Sequence, residues 1–283
     1  MRANQKEITG QSGEKIAVYD WLYTQRTAAR GAILFVHSFG EYTDRHERQA
    51  LKFISWGFMV RGFDLHGHGR SGGKRGQIQS QMQYQQDLAD VIADWRRDLG
   101  PDLPLIVYGN LFGAAIAMTA EQGHLSHADA DAYFFTSPVL HVRLTRVQRL
   151  MLTLARKFAP QHLAKNAIRP ELYSRDENVV LLIRSDPQWL PVISVRVADY
   201  IAQTCNRALA SASTWHKPTL MLYGKDSHLI DTGAIEEFVA NTDKLVESKR
   251  FDGHFADLFN DLENGLVYKR LQQWLDKKFP PKT

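Results

Sequence analysis

The stretch Leu105-Ile106-Val107-Tyr108-Gly109-Asn110-Leu111-Phe112-Gly113-Ala114-Ala115-Ile116-Ala117 decides the fold of this chain. Leu105 to Tyr108 is an unbroken apolar run, the pattern of a parallel strand covered on both faces rather than one. Ala114 to Ala120 is helix-forming and slim, suited to close packing on a sheet. Between them stand Gly109 and Gly113, so the chain passes from strand to helix through a turn too tight for side chains on either flank.

That order, strand, glycine, turn, glycine, helix, is the setting of the Gly-x-Ser-x-Gly elbow, where a strained apical serine is presented for nucleophilic attack. Here the five residues are Gly109, Asn110, Leu111, Phe112 and Gly113. Both glycines are present, and the nucleophile position holds Leu111. The string Gly69-Arg70-Ser71-Gly72-Gly73 meets the same formula, but it has no strand before it and no small-residue helix after it, so Ser71 is read as a decoy.

Further out, Ala32 to Val36 is a second buried strand running into His37-Ser38-Phe39-Gly40-Glu41, with Arg45 beyond. Next come Asp64-Leu65-His66-Gly67-His68-Gly69-Arg70-Ser71 and Gly73-Lys74-Arg75-Gly76. In this order and spacing the motifs resemble the monoacylglycerol lipase and lysophospholipase branch of the α/β-hydrolases, of the serine aminopeptidase S33 type. Its loops read His-Gly-x-Gly-Glu, Asp-x-Arg-Gly-His-Gly-x-Ser and Gly-x-Arg-Gly ahead of the elbow. The resemblance runs from about Glu7 to Phe279. It implies an α/β fold with a doubly wound, mostly parallel sheet and an inserted helical cap.

Strand patterns at Ala132 to Thr136, Thr219 to Tyr223 and Val246 to Phe251, and a closing helix near Val267 to Lys278, fit that sheet. The strand pattern lapses between them, giving an expected core of residues 1–138 and 218–283 and a cap of 139–217. From Arg143 to Arg169 the cap carries seven basic residues and no acidic one, with Leu144, Val147, Leu150, Met151, Leu154, Ala155 and Phe158 at helical spacing. Such a basic amphipathic helix meets an anionic membrane surface or acidic partner, or else packs its apolar stripe on the sheet, as surface helices commonly do.

Composition sets further bounds. Met1 to Lys6 leads into no apolar stretch and no run reaches the ~20 residues of a membrane span, so a cytoplasmic protein is expected. Cys205, the single cysteine, excludes an internal disulfide. The net charge of +4 is too small to suggest nucleic acid, no metal-ligand spacing stands out, and no cofactor is implied. A protein partner is not legible.

For ester hydrolysis the fold needs a nucleophile, a base, an acid and two backbone oxyanion donors. By resemblance, Asp226 after the strand at 219–223 is read as the acid in a Gly-x-x-Asp-x-x-x-Asp pattern, with Asp231 a helix cap. The base loop Gly-x-x-His-Glu-Leu aligns with Gly253 to Leu258, placing Ala256 at the base, while Gly253-His254-Phe255 matches the Gly-His-Phe of other branches and keeps His254 a candidate. The oxyanion donors fall on the N–H groups of Phe39 and Phe112. The expected function is a catalytically degenerate, lipase-like pseudoenzyme that binds a lipid, an acyl compound or a partner. The alternative is an active enzyme, with a nucleophile displaced to Ser38 or Ser137 or with His254 and Asp226 transferring protons without a covalent intermediate.

Overall fold

The computed structural model describes residues 3–21, 29–123, 125, 130–165 and 168–281; Met1 and Arg2 of the leader reading lie outside them. The first strands are Asn4–Thr9 (β1), Lys15–Trp21 (β2), Gly31–Val36 (β3) and Phe58–Phe63 (β4), with helix Glu47–Ser55 (α1) before β4. Helix Gln83–Leu99 (α2) leads to Leu105–Asn110 (β5), Phe112–Glu121 (α3) and Ala132–Thr136 (β6). Then follow Arg146–Phe158 (α4), Leu163–Lys165 (β7), Glu177–Ser185 (α5), Val192–Ser194 (β8) and Val195–Ala210 (α6). The chain ends with Thr219–Gly224 (β9), Thr232–Ala240 (α7), Val246–Phe251 (β10) and Gly265–Lys278 (α8).

Among the described residues the main sheet has eight strands in the order β1-β2-β4-β3-β5-β6-β9-β10. β2 is antiparallel to both its neighbours, and every pairing from β4 to β10 is parallel. The central strands β3, β4, β5, β6 and β9 are buried along their whole length, which is why they read as continuous apolar runs. One apolar layer, including Leu34, Val107, Ile116 and Tyr200, fills one side of the sheet. A second, including Phe53, Tyr108, Phe134 and Trp274, fills the other. This is the doubly wound α/β arrangement, with the loops at the C-terminal ends of the parallel strands gathered at one edge.

Three expectations about the segment between β6 and β9 are revised. It is not free of strands, since β7 and β8 form a short antiparallel ribbon. Nor does all of 139–217 stand apart from the core: Val197, Tyr200, Cys205 and Ala208 of α6 are buried in the same layer as α3. The covering portion therefore ends near Ser194.

The third revision concerns α4. Its apolar stripe does not pack on the sheet: Val147, Leu150, Met151, Leu154 and Phe158 are 50–75% exposed. A capping box between Thr145 and Gln148 starts the helix. It is held instead through Leu152 and one member of the expected stripe, Ala155, which are half-buried, and through Arg156, which meets Asp199 of α6 at 3.3 Å. No helix among the described residues is long and apolar enough to cross a membrane.

Candidate functional site

The turn between β5 and α3 is as tight as its glycines require. A Cβ on Gly109 would lie 2.5 Å from Ala114 Cα, and one on Gly113 only 2.1 Å from the Val36 carbonyl oxygen. Leu111 sits at the apex with φ 50° and ψ −114°, a backbone region that favours glycine. Its N–H donates to Thr136 O at 2.9 Å, and its carbonyl accepts from Val139 N at 3.2 Å and Ala114 N at 3.3 Å. Packing thus imposes the elbow conformation, and a leucine adopts it.

The Leu111 side chain is 2% exposed and packs in one apolar cluster with Ala256, Tyr173 and Ile183. Val179, Trp189, Leu229 and Ile230 border that cluster. The structure therefore gathers Leu111 and Ala256, the residues expected at the nucleophile and base positions and 145 residues apart in sequence (256 − 111), into one cluster with Tyr173 and Ile183 from the segment after β6. Neither Leu111 nor Ala256 carries a group able to attack or to accept a proton.

His254 and Asp226 do not form the pair that proton transfer needs. The Asp226 carboxylate is exposed and accepts from Gly253 N at 2.9 Å. The His254 ring is buried against Phe251, with Nδ1 3.1 Å from Asp252 O and Nε2 without a partner among the described residues. Counted from Gly224, the two aspartates of the Gly-x-x-Asp-x-x-x-Asp spacing fall on Ser227, next to Asp226, and on Asp231. Ser227 is 9% exposed, its hydroxyl accepts from Leu229 N at 3.2 Å, and Leu229 borders the Leu111 cluster.

Asp231 precedes α7, but its side chain makes no cap hydrogen bond. It instead accepts from Arg143 Nη2 at 2.8 Å and Nε at 2.9 Å, and lies 2.9 Å from His141 Nδ1. Arg143 first, and then His141, holds this carboxyl below the usual range.

The oxyanion donors are also changed. Phe112 N–H points to the Ser38 hydroxyl at 3.4 Å, so a side chain occupies the place of an incoming oxygen. Phe39 is buried, with its ring edge-on to His68 at 4.9 Å. Beside Ser38, His37 is fully engaged: Nδ1 donates to Ser38 O at 2.7 Å and Nε2 accepts from Leu65 N at 2.9 Å. Burial pushes His37 down, so it stays neutral and has no free nitrogen to activate Ser38. The Ser137 hydroxyl, buried and without a hydrogen-bond partner among the described residues, has no base beside it either. Ser71 is structural, donating to Asp64 O at 2.5 Å and accepting from Ala17 N at 2.9 Å.

Behind the elbow lies a buried polar group. Glu41 Oε2 accepts from Ser38 N and Asn110 Nδ2, both at 3.2 Å, and meets His46 Nε2 at 3.4 Å. Burial works to raise Glu41, but His46, Arg45 and His37 hold it at about 2. Asp257 moves the other way, pushed up to about 6 by burial and by the charge of Glu41. Among the described residues no cluster of histidine, cysteine and carboxylate side chains suited to a metal ion is found.

The segment above is anchored at two carboxylates. Asp186 accepts from Tyr42 OH at 2.9 Å and Arg45 Nη1 at 3.1 Å, while the Arg45 guanidinium lies over Trp189. Asp261 accepts from Arg175 N at 2.8 Å, Arg175 Nε at 3.0 Å, Ser174 Oγ at 3.2 Å and Phe255 N at 2.8 Å. Residues 173–190 are therefore tied both to the loop after β3 and to the loop that carries Ala256.

Known proteins share this framework. The family model described as serine aminopeptidase, S33 matches residues 27–263. A monoacylglycerol lipase of Mycolicibacterium smegmatis is 28% identical over 293 residues, covering 96% of each chain. Phospholipase YtpA of Bacillus subtilis is 26% identical over 253 residues, covering 87% of this chain and 95% of its own. A soluble variant of monoglyceride lipase from Saccharomyces cerevisiae, solved in complex with a substrate analog, has a TM-score of 0.87 at 21% identity, covering 100% of this chain and 96% of that one. With the sheet order, the elbow and the family match in agreement, the chain belongs to the serine aminopeptidase S33 family and is an α/β-hydrolase similar to the monoacylglycerol lipases.

Proposed function

We propose that this protein is a catalytically degenerate relative of the monoacylglycerol lipases, keeping a role in binding a lipid or acyl ligand beneath a cap formed by residues 139–194. The observation that carries the reading is the buried apolar cluster that unites Leu111 and Ala256 with Tyr173 and Ile183. With Ser227 at the acid position, all three members of a Ser-His-Asp triad are replaced, and the Ser38 hydroxyl takes the Phe112 donor. Charge-relay chemistry has no base here, and an oxyanion would compete with a side chain already in place. The same replacements that remove catalysis make the floor apolar, which suits an acyl chain once the cap moves aside. The test is incubation with a serine-reactive fluorophosphonate and with a monoacylglycerol. Neither labelling nor turnover is expected, and turnover by the wild type that is lost in any one of Ser38→Ala, Ser137→Ala or Asp226→Ala would overturn the proposal.

The lipid reading extends to the surface. The exposed stripe of α4 is flanked by Arg146, Arg149, Arg156 and Lys157, the composition of a helix lying in the headgroup layer of an anionic membrane. In this reading the protein works in the cytoplasm and meets its ligand at a lipid surface. Binding to phosphatidylglycerol-containing vesicles, weakened by salt and by Leu150→Glu with Phe158→Glu, is expected. Equal partition of wild type and variant would remove the membrane role while leaving the reading of the buried site untouched.

A further inference from the structure

A second cavity lies away from the degenerate elbow. It has a volume of about 340 Å³, near the lower end for small-molecule sites, and is lined by Glu14, His66, Lys74, Gln77, Ile78 and Gln161 among others. Three parts of the chain build it: the β1–β2 turn, the loop after β4, and the stretch between α4 and β7. None of these residues belongs to the Leu111 cluster.

The side chains that meet there are not used by the fold. His66 is only 4% exposed, yet neither ring nitrogen has a hydrogen-bond partner among the described residues. The same holds for the side-chain polar groups of Lys74, Gln77 and Gln161. Glu14 is the exception, accepting from Gln79 Nε2 at 2.8 Å. Space for the imidazole is made by Gly73, where a Cβ would fall 2.2 Å from the ring. His66 also stands where the motif of the resembled branch carries arginine. A buried imidazole without protein partners retains its hydrogen-bonding capacity for something that enters the cavity.

We propose that this cavity binds a small neutral polyol, of glycerol to monosaccharide size. A hydroxyl donates and accepts at once, and the lining offers both: an ammonium, amide N–H groups and one imidazole N–H as donors, and amide oxygens, an imidazole nitrogen and the Glu14 carboxylate as acceptors. Lys74 and Glu14 cancel in charge, and burial pushes His66 down so that it adds none near neutral pH. An anionic ligand would face Glu14 and a cationic one Lys74. Ile78 supplies an apolar surface for the C–H face of such a molecule. Because Gln161 comes from the segment after β6 and His66 from the core, a bound polyol would bridge the two. The proposal is independent of the reading of the elbow.

The experiment uses full-length protein labelled at its histidines and follows the His66 ring resonances by NMR during titration with glycerol, glucose and inorganic phosphate. Saturable shifts with the polyols are expected, with half-saturation near ~2 mM for glucose from the usual affinity per ligand atom. Gln161→Ala at an exposed position and Glu14→Ala at a half-buried one should weaken binding roughly tenfold each while leaving the other histidine resonances in place. Three results would overturn the proposal: no saturable shift with either polyol, shifts unchanged in both variants, or phosphate binding in preference to the polyols.

Discussion

Replacing Leu111 by glycine and by alanine separates the two forces acting on the elbow. Both substitutions remove a side chain that is 2% exposed and packed against Tyr173, Ile183 and Ala256. The loss of packing and the cavity left behind cost about 3 kcal/mol in either case. At an ordinary position glycine would then be worse than alanine by ~0.5–1 kcal/mol, because its unfolded chain is freer. Here φ is 50° and ψ is −114°, and any residue with a Cβ is strained by about 1–3 kcal/mol. Glycine relieves that strain and alanine does not. The order should therefore invert, with Leu111→Gly more stable than Leu111→Ala by ~1 kcal/mol and both less stable than wild type. In a chain of this size that difference is roughly 2–4 °C in melting temperature. Guanidinium chloride unfolding of the three proteins, with calorimetry as a check, measures it. If alanine equals or exceeds glycine, the elbow is not strained as described, and the claim that packing dictates its backbone is wrong.

Three further outcomes follow from the same geometry. Restoring Leu111→Ser, Ser227→Asp and Ala256→His together should give weak esterase activity at best, and adding Ser38→Gly should raise kcat about tenfold or more by freeing the Phe112 N–H; equal rates with and without the fourth change would show that the hydroxyl does not block the donor. Asp257 has a folded-state pKa raised from 3.8 to about 6, so the fold binds more protons than the unfolded chain between those values and loses stability as pH rises through them. Asp257→Asn should accordingly stabilise the protein by roughly 1–2 kcal/mol more at pH 8 than at pH 5, measured by paired melts, and a gain independent of pH would contradict the buried-charge account. Asp186→Asn weakens the anchor to Tyr42 and Arg45, so amide exchange should speed up across 177–190 while β5 and α3 keep their protection; unchanged exchange would mean that apolar contact alone holds the segment down.

In the proposed reading of a degenerate triad, the buried cluster also accounts for the substitutions occurring together. A lone leucine at the apex beside a histidine and an aspartate would leave two polar groups in an apolar, covered site without their partner, at a cost of ~1–3 kcal/mol each. With Ala256 and Ser227 in place, the only polar group of the former triad positions is a hydroxyl already bonded to Leu229 N. The site is consistent with itself as a packed region, which separates it from a hydrolase disabled by one change.

Much of this was legible in the sequence. The paired glycines around Leu111 could only mark a turn without room for side chains, and the apolar runs at 32–36, 105–108 and 132–136 could only be strands covered on both faces. Backbone sterics and burial act locally, so residue type reveals them. What the sequence left undecided depends on neighbours distant in the chain. Periodicity showed that α4 has an apolar stripe, but either side of a helix can be the attached one, and here Leu152 and, of the expected stripe, Ala155 are half-buried while Val147, Leu150, Met151, Leu154 and Phe158 face water. His254 and Asp226 looked like a base and an acid until the loop geometry set one ring against Phe251 and one carboxylate on Gly253 N. Residue type announces what a group could do; only the tertiary structure, by placing Leu111 and Ala256 in one buried cluster and the Ser38 hydroxyl on Phe112 N–H, decides what remains within reach, because catalysis depends on distances of a few ångströms between residues far apart in sequence.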